Sequence, residues 1–179
     1  MTCIVGLRHA GRVIIGGDRA GVDTGNYSLT VREDRKVFVN GPFAMGFTTS
    51  FRMGQVLAYG FTPPARRPET DVMRFMVTEF VDAVRAAFKA AGYALKEKEQ
   101  EAGGSFLVGY EGRLFHIADD YQVGESSHGF DACGSGAQVA LGSLLTSDGG
   151  AARNRIERAL KAAETFNAGV RAPFDFVEV

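Results

Sequence analysis

The second residue of this chain is a threonine behind a lone methionine, and chemistry first shows itself there. Methionine ahead of so small a residue is normally removed, which would leave Thr2 with a hydroxyl and a free α-amine. A threonine hydroxyl is a poor nucleophile until a base takes its proton, and an α-amine with an ordinary pKa of about 7.7 to 8.0 is such a base. Nucleophile and base would then share one residue. The site would also need a cation to lower the pKa of the reacting group and a carboxylate to hold that cation. Asp18, at the end of a second apolar run, and Lys36, at the start of a third, could both lie beside Thr2 if the runs are neighbouring strands. Each also has an ordinary reading: Thr2 as a strand residue, Asp18 as a turn residue, Lys36 as an exposed strand charge.

Other chemistries find no anchor. There is no G-x-x-x-x-G-K-[ST] phosphate loop, and Gly134-Ser135-Gly136 runs on to Val139 where a dinucleotide fingerprint wants Gly or Ala. No G-x-S-x-G elbow is present. Cys3 and Cys133 stand far apart with no metal or redox spacing, and read as free, partly buried thiols. His9, His116 and His128 share no helical face. His116 with Asp119 and Asp120 comes nearest to a metal cluster and reads as a strand end with its exposed turn. No metal and no cofactor is expected. Twenty Lys and Arg against 21 Asp and Glu give a net charge of −1, which carries neither a nucleic-acid footprint nor a polybasic membrane patch. No apolar run approaches the roughly 18 residues of a membrane span, and no long apolar stretch follows Met1, so a cytoplasmic protein is expected.

The elements that must position these residues follow from the apolar periods. Residues 2–7 and Arg12-Val13-Ile14-Ile15 read as a hairpin about His9-Ala10-Gly11, ending at Gly16-Gly17-Asp18. After a polar, Gly-bearing segment over 19–34, Lys36-Val37-Phe38-Val39 and Phe43-Ala44-Met45 read as a second hairpin on Asn40-Gly41. A short helix from Ser50 carries Phe51, Val56, Leu57 and Tyr59 and closes at Gly60. The 70–91 stretch is the clearest helix, with Met73, Met76, Val77, Phe80, Val84, Phe88 and Ala91 on one stripe. Met73, Phe75, Met76 and Phe80 together exceed a single narrow face, which fits a helix covered on more than one side. The run Lys96-Glu97-Lys98-Glu99-Gln100-Glu101 reads as a solvated helix end or loop. Residues 105–110 and 113–117 form a third hairpin on Glu111-Gly112, and 130–133 a further strand. Helices follow over 137–145 and 153–167 with Gly169 as the stop, and 174–177 closes as a strand. Hairpins alternating with helix pairs, in 179 residues, predict one α+β domain over 1–179 with antiparallel sheets covered by helices.

Thr2-Cys3-Ile4-Val5, Val13-Ile14-Ile15-Gly16-Gly17-Asp18, Arg35-Lys36-Val37, Gly46-Phe47 and Gly134-Ser135-Gly136, in this order, resemble the proteasome β-subunit family in its HslV-like branch. The resemblance runs over nearly the whole chain, with about two extra residues between Asp18 and Lys36. It implies the four-layer αββα sandwich of the N-terminal nucleophile hydrolases. It also implies a threonine peptidase, active once Met1 is removed, that works as a subunit of a self-compartmentalised homo-oligomeric ring stacked in pairs. The substrate would be polypeptide, fed by an ATP-dependent unfoldase. By the same resemblance Thr2 is the nucleophile, Lys36 lowers the pKa at the site, Asp18 orients Lys36, and Ser135 helps the proton relay. Backbone N–H groups over Gly46 to Thr49, with Thr48 and Thr49 at the substrate edge, form the oxyanion hole. A non-catalytic ring scaffold is the alternative. The chain departs from the family pattern in carrying Thr48-Thr49-Ser50 where a Gly pair is usual. It also carries Asn167 as a loose substitute for a late Asp.

Overall fold

The computed structural model describes residues 1–97 and 100–179. β1 (Ile4–His9) and β2 (Arg12–Gly17) pair antiparallel with Ile4 opposite Gly17, across a turn in which Ala10 and Gly11 both take positive φ. The polar segment that follows forms a hairpin of its own, β3 (Ala20–Asp23) with β4 (Ser28–Val31). All four residues of β4 are exposed, so no inward stripe marked it in the sequence. β5 (Val37–Asn40) and β6 (Phe43–Phe47) pair as expected, but the turn is Gly41-Pro42. Asn40 stays in the strand opposite Phe43, and the positive φ falls on Gly41, the first turn position of a II′ hairpin.

α1 (Phe51–Gln55) starts on Ser50, whose side chain accepts the Arg52 N–H, and runs on through a wider turn, Val56–Gly60. The helix expected over 70–91 is α2 (Val72–Phe75), another wide turn over Met76–Phe80, and α3 (Val81–Ala90). The wide turn inserts a residue into the helical repeat, so that Phe75, Met76, Phe80 and Val81 all reach the interior. The apolar excess on this helix is therefore met within the chain and gives no sign of a second covering surface. β7 (Leu95–Glu97) and β8 (Gln100–Ala102) form a small hairpin where a solvated helix end or loop was expected; Lys98 and Glu99 lie outside the described residues. β9 (Phe106–Tyr110) and β10 (Arg113–Ile117) turn on Glu111 and Gly112, both left-handed. The short β11 (Val123–Gly124) precedes β12 (Phe130–Cys133), α4 (Ala137–Leu145), α5 (Ala152–Phe166) and β13 (Asp175–Glu178).

Two antiparallel sheets result, ordered β12-β1-β2-β13 and β11-β10-β9-β6-β5. Between the five-stranded sheet and α1 to α3 lies an aromatic layer in which Phe43 stacks on Tyr110 with centroids 4.2 Å apart. Cys3, just before the first strand, and Val5 and Leu7 within it face α4 and α5 in a second layer. Ile4, Val13, Ile15, Val37, Ala44, Leu107 and Leu114 fill the space between the sheets. The architecture is αββα. Among the described residues no helix is long and apolar enough to cross a membrane.

Glycines make the close approach of the sheets possible. A Cβ on Gly46 would stand 2.6 Å from Ile4 Cγ2 and 2.9 Å from Ile15 Cγ2. Gly46→Ala should therefore overpack this layer and lower unfolding free energy by about 1–3 kcal/mol in urea titrations. An unchanged midpoint would show that the layer has slack.

Candidate active site

Strand register brings the candidate residues to one end of the sandwich. Ile4 pairs with Gly17 on one side and Cys133 on the other, which sets Asp18 and Gly134-Ser135 beside Thr2-Cys3. Lys36 immediately precedes β5, and the Phe47 N–H donates to its carbonyl at 3.1 Å, so the end of β6 arrives at the same place.

Asp18 has no exposed surface, and four donors surround its carboxylate. Oδ1 accepts from Cys3 N at 3.0 Å and from Lys36 Nζ at 2.9 Å; Oδ2 accepts from Ala20 N at 2.8 Å and Arg171 N at 3.2 Å. A buried carboxylate is tolerable only when satisfied in this way. Lys36 is 1% exposed and its ammonium donates to Thr2 Oγ1 as well as to Asp18. Burial pushes its pKa below the ordinary lysine value, and the charge and hydrogen bond of Asp18 oppose that fall. Thr2, Lys36 and Asp18 thus form a chain of direct contacts, hydroxyl to ammonium to carboxylate.

Ser135 joins them from the other side. Its hydroxyl accepts the Thr2 N–H at 3.2 Å and donates to Asn167 Oδ1 at 3.1 Å. Asn167 Oδ1 also accepts from Gly169 N at 2.9 Å, and its Nδ2 donates to the Ser135 carbonyl at 2.9 Å, which fixes the amide's orientation. Gly134 has φ +95°, and a Cβ there would clash with the Thr2 carbonyl. The GSG motif is read best as the close-approach segment that places Ser135. With Met1 attached, the Thr2 nitrogen is an amide donor; released as an amine, it would stand in the same place with a lone pair.

Of the stretch expected to form an oxyanion hole, one N–H has no acceptor among the described residues. Gly46 is not brought to this cluster: it lies within β6, paired with both Val37 and Leu107, with its Cα against Ile4 and Ile15. Phe47 N and Thr48 N are spent on Lys36 O and Ser105 O. The Thr49 N–H meets no acceptor among the described residues. Thr49 lines, with Thr2, Thr48 and Lys36, a small cleft of about 70 Å³. Its φ is +58°, a left-handed backbone that costs a β-branched residue roughly 1–2 kcal/mol. Ser50 N bonds Thr48 O at 2.6 Å across it, closing a three-residue turn.

Sequence reasoning missed three contributors. The Arg171 N–H on Asp18 comes from a loop with no motif. Ser105 braces the Thr48-Thr49 turn through its backbone, accepting Thr48 N at 3.0 Å and Thr48 Oγ1 at 2.9 Å and donating N–H to Thr49 Oγ1 at 3.2 Å. His116, weighed with Asp119 and Asp120, instead meets Ser105 and Asp131. No group of three or more possible metal ligands occurs among the described residues. Taken together the arrangement can lower the pKa of a hydroxyl, and with Met1 removed it would set an amine beside that hydroxyl to take its proton.

Two measurements test these electrostatics. Asp18→Ala strands a buried ammonium and three backbone N–H groups, and should cost about 3–5 kcal/mol in chemical denaturation. Lys36→Ala leaves Asp18 three donors and should cost less while staying folded; the reverse order would refute the account. Burial, helped by the Asp18 charge, pushes the Cys3 thiol from 9.0 up to about 12. Between these pH values the unfolded chain loses this proton while the folded one keeps it, so stability should fall as pH rises through the window. Cys3→Ala should flatten that slope.

No protein-family model matches the chain, and neither does any curated protein sequence. Solved structures do. A Thiobacillus denitrificans protein, BPH, superposes with TM-score 0.77 at 22% identity over 99% of this chain and 97% of that one, and it has also been solved in complex with epoxomicin. HslV from Trypanosoma brucei gives TM-score 0.66 at 17% identity, covering 98% of both chains. Anbu from Yersinia bercovieri, described as an ancestral beta-subunit, gives 0.66 at 14% identity over 99% of this chain and 81% of that one. The chain therefore has the fold of HslV and Anbu, the proteasome-type αββα sandwich that its sequence resembles.

Proposed function

We propose that this protein is a threonine-type N-terminal nucleophile hydrolase that cleaves peptide bonds after Met1 is removed. The observation that carries this reading is the contact of the Thr2 hydroxyl with a buried Lys36 ammonium that Asp18 holds in place. The freed Thr2 amine takes the hydroxyl proton, and Oγ1 attacks the scissile carbonyl. The oxyanion forms at the Thr49 N–H. The amine then protonates the departing peptide amine, leaving an ester on Thr2 that water hydrolyses with the same amine as base. Ser135, fixed by Asn167, orients that amine. We further propose a cytoplasmic homo-oligomeric double ring acting on polypeptide delivered by an ATP-driven unfoldase. The fold it shares with HslV and Anbu supports this.

Removal of Met1 is the decisive variable. An extra residue turns the amine into an amide, which accepts no proton near neutral pH, so the Met1 form should be nearly inactive. Trimmed protein, with Thr2 first by intact mass, should hydrolyse peptides and gain the mass of epoxomicin at Thr2. Thr2→Ala should return it to background, Thr2→Ser should keep part of the rate, and Lys36→Ala and Lys36→Arg should both abolish it, since a planar guanidinium cannot replace a compact ammonium. Trimmed, assembled protein that neither turns over peptides nor is labelled would leave the ring-scaffold reading in its place.

A further inference from the structure

His116 and Asp131 belong to no step above, yet through Ser105 they connect to Thr49, whose φ is positive. Ser105 Oγ lies 2.8 Å from His116 Nε2, and Asp131 Oδ2 lies 3.4 Å from His116 Nδ1. With the Nδ1 proton on the side of Asp131, Nε2 would accept from the Ser105 hydroxyl. Asp131 is itself anchored, its Oδ1 accepting the Ala132 N–H at 2.7 Å. The contacts run from β12 of one sheet through β10 of the other to the residue preceding β9, and all three side chains are half-buried.

The order Ser–His–Asp is that of a hydrolase triad, but its surroundings do not suit a nucleophile. The Ser105 N–H, which would have to cradle an oxyanion, is already given to Thr49 Oγ1. The hydroxyl stands beside the buried Cys133 thiol in the layer between the sheets. What the Ser105 backbone does hold is the Thr48-Thr49 turn, by the three bonds already described. Gly104 completes the brace from below: its φ is +135°, and a Cβ there would stand 2.6 Å from Met53 Sδ and 3.1 Å from Thr49 Cβ.

We propose that His116, oriented by Asp131, is a positioning residue that acts through Ser105 to hold Thr49 in its left-handed turn, and so aims the Thr49 N–H at the reaction centre. The proposal rests on the reading of Thr2 as nucleophile and Thr49 as oxyanion donor. A threonine does not keep this backbone unaided, whereas a glycine does. The dependence on His116 should accordingly exist only while residue 49 carries a side chain.

The test uses trimmed protein whose Thr2 is first by mass. His116→Ala should lower kcat about tenfold to a hundredfold, the scale of a small misplacement of a catalytic group, with KM within about twofold. Asp131→Asn should give a smaller loss in the same parameter. His116→Gln, whose amide oxygen can take the place of Nε2, should restore most of the rate. In a Thr49→Gly background the further effect of His116→Ala should shrink to within about twofold. Hydrogen exchange over residues 47–52 supplies a readout independent of turnover: it should rise in His116→Ala and not rise further when Thr49→Gly is added. If the trimmed parent turns over nothing, the peptidase reading fails, and the exchange experiment still decides whether His116 fixes the turn. Unchanged kcat and exchange in His116→Ala would overturn the proposal. So would losses from His116→Ala and Thr49→Gly that simply multiply, or a failure of His116→Gln to rescue a folded protein.

Discussion

The buried pair of Lys36 and Asp18 is the constraint around which the rest is arranged. Removing an ammonium and a carboxylate from water costs several kcal/mol per ion, and mutual attraction offsets this only if the remaining hydrogen-bonding capacity is filled. Here it is filled by backbone: the N–H groups of Cys3, Ala20 and Arg171 all converge on Asp18. Those donors come from the segment before β1, the start of β3 and the loop before β13, so one side chain ties together the chain's beginning, the β2–β3 connection and its C-terminal segment. The register of Ile4 with Gly17 and Cys133 follows the same logic, because a slip by one residue would turn Cys3 toward the wrong layer and carry Thr2 away from Lys36. Stability alone does not call for such a pair, since well-packed apolar residues of similar volume commonly do as well. What the pair supplies is a desolvated ammonium at a hydroxyl.

The parts legible in the sequence are those written in local pattern. Three hairpins announced themselves by alternation and by turn residues, and Ala10-Gly11 and Glu111-Gly112 take the left-handed backbone such turns need. Thr2, Asp18 and Lys36 were legible for a different reason: each stands at the end of an apolar run, the β1–β2 hairpin brings the first two ends together, and the packing of β5 of the other sheet against that hairpin brings the third. Adjacent runs therefore had a fair prospect of placing those ends together. The wide turn at Met76–Phe80 defeated a simple helical repeat because its extra residue moves Phe75 and Val81 onto the buried face, and a 3.6-residue period has no place for that shift.

The illegible parts are those carried by tertiary register. Gly46 belongs to a motif that the resemblance sets at the substrate edge, yet it is paired on both sides within β6 with its Cα against Ile4 and Ile15 between the sheets, and the chain leaves the strand only at Thr48. The Asp18–Arg171 bond joins residues 153 apart through a backbone N–H, to which the side chain, and hence the sequence, gives no clue. His116 and Asp131 belong to different sheets, and nothing in either strand foretells that their side chains meet or that His116 reaches Ser105.

Thr49 shows how these levels interact. A left-handed threonine conflicts with local preference, and such conflicts persist only where surrounding structure outweighs them. The surroundings are specific: Thr48 gives its N–H and hydroxyl to Ser105 O, Thr49 takes Ser105 N, and Gly104 leaves no room for the turn to relax downward. A glycine pair at this position would adopt the same backbone at less cost, but with a wider range of nearby conformations to lose. The two threonine hydroxyls therefore exchange intrinsic ease for restraint. The Thr49 N–H, which meets no acceptor among the described residues, stays at the cleft it shares with Thr2 through a turn that two hydroxyl bonds reinforce, and a glycine pair could not make those two.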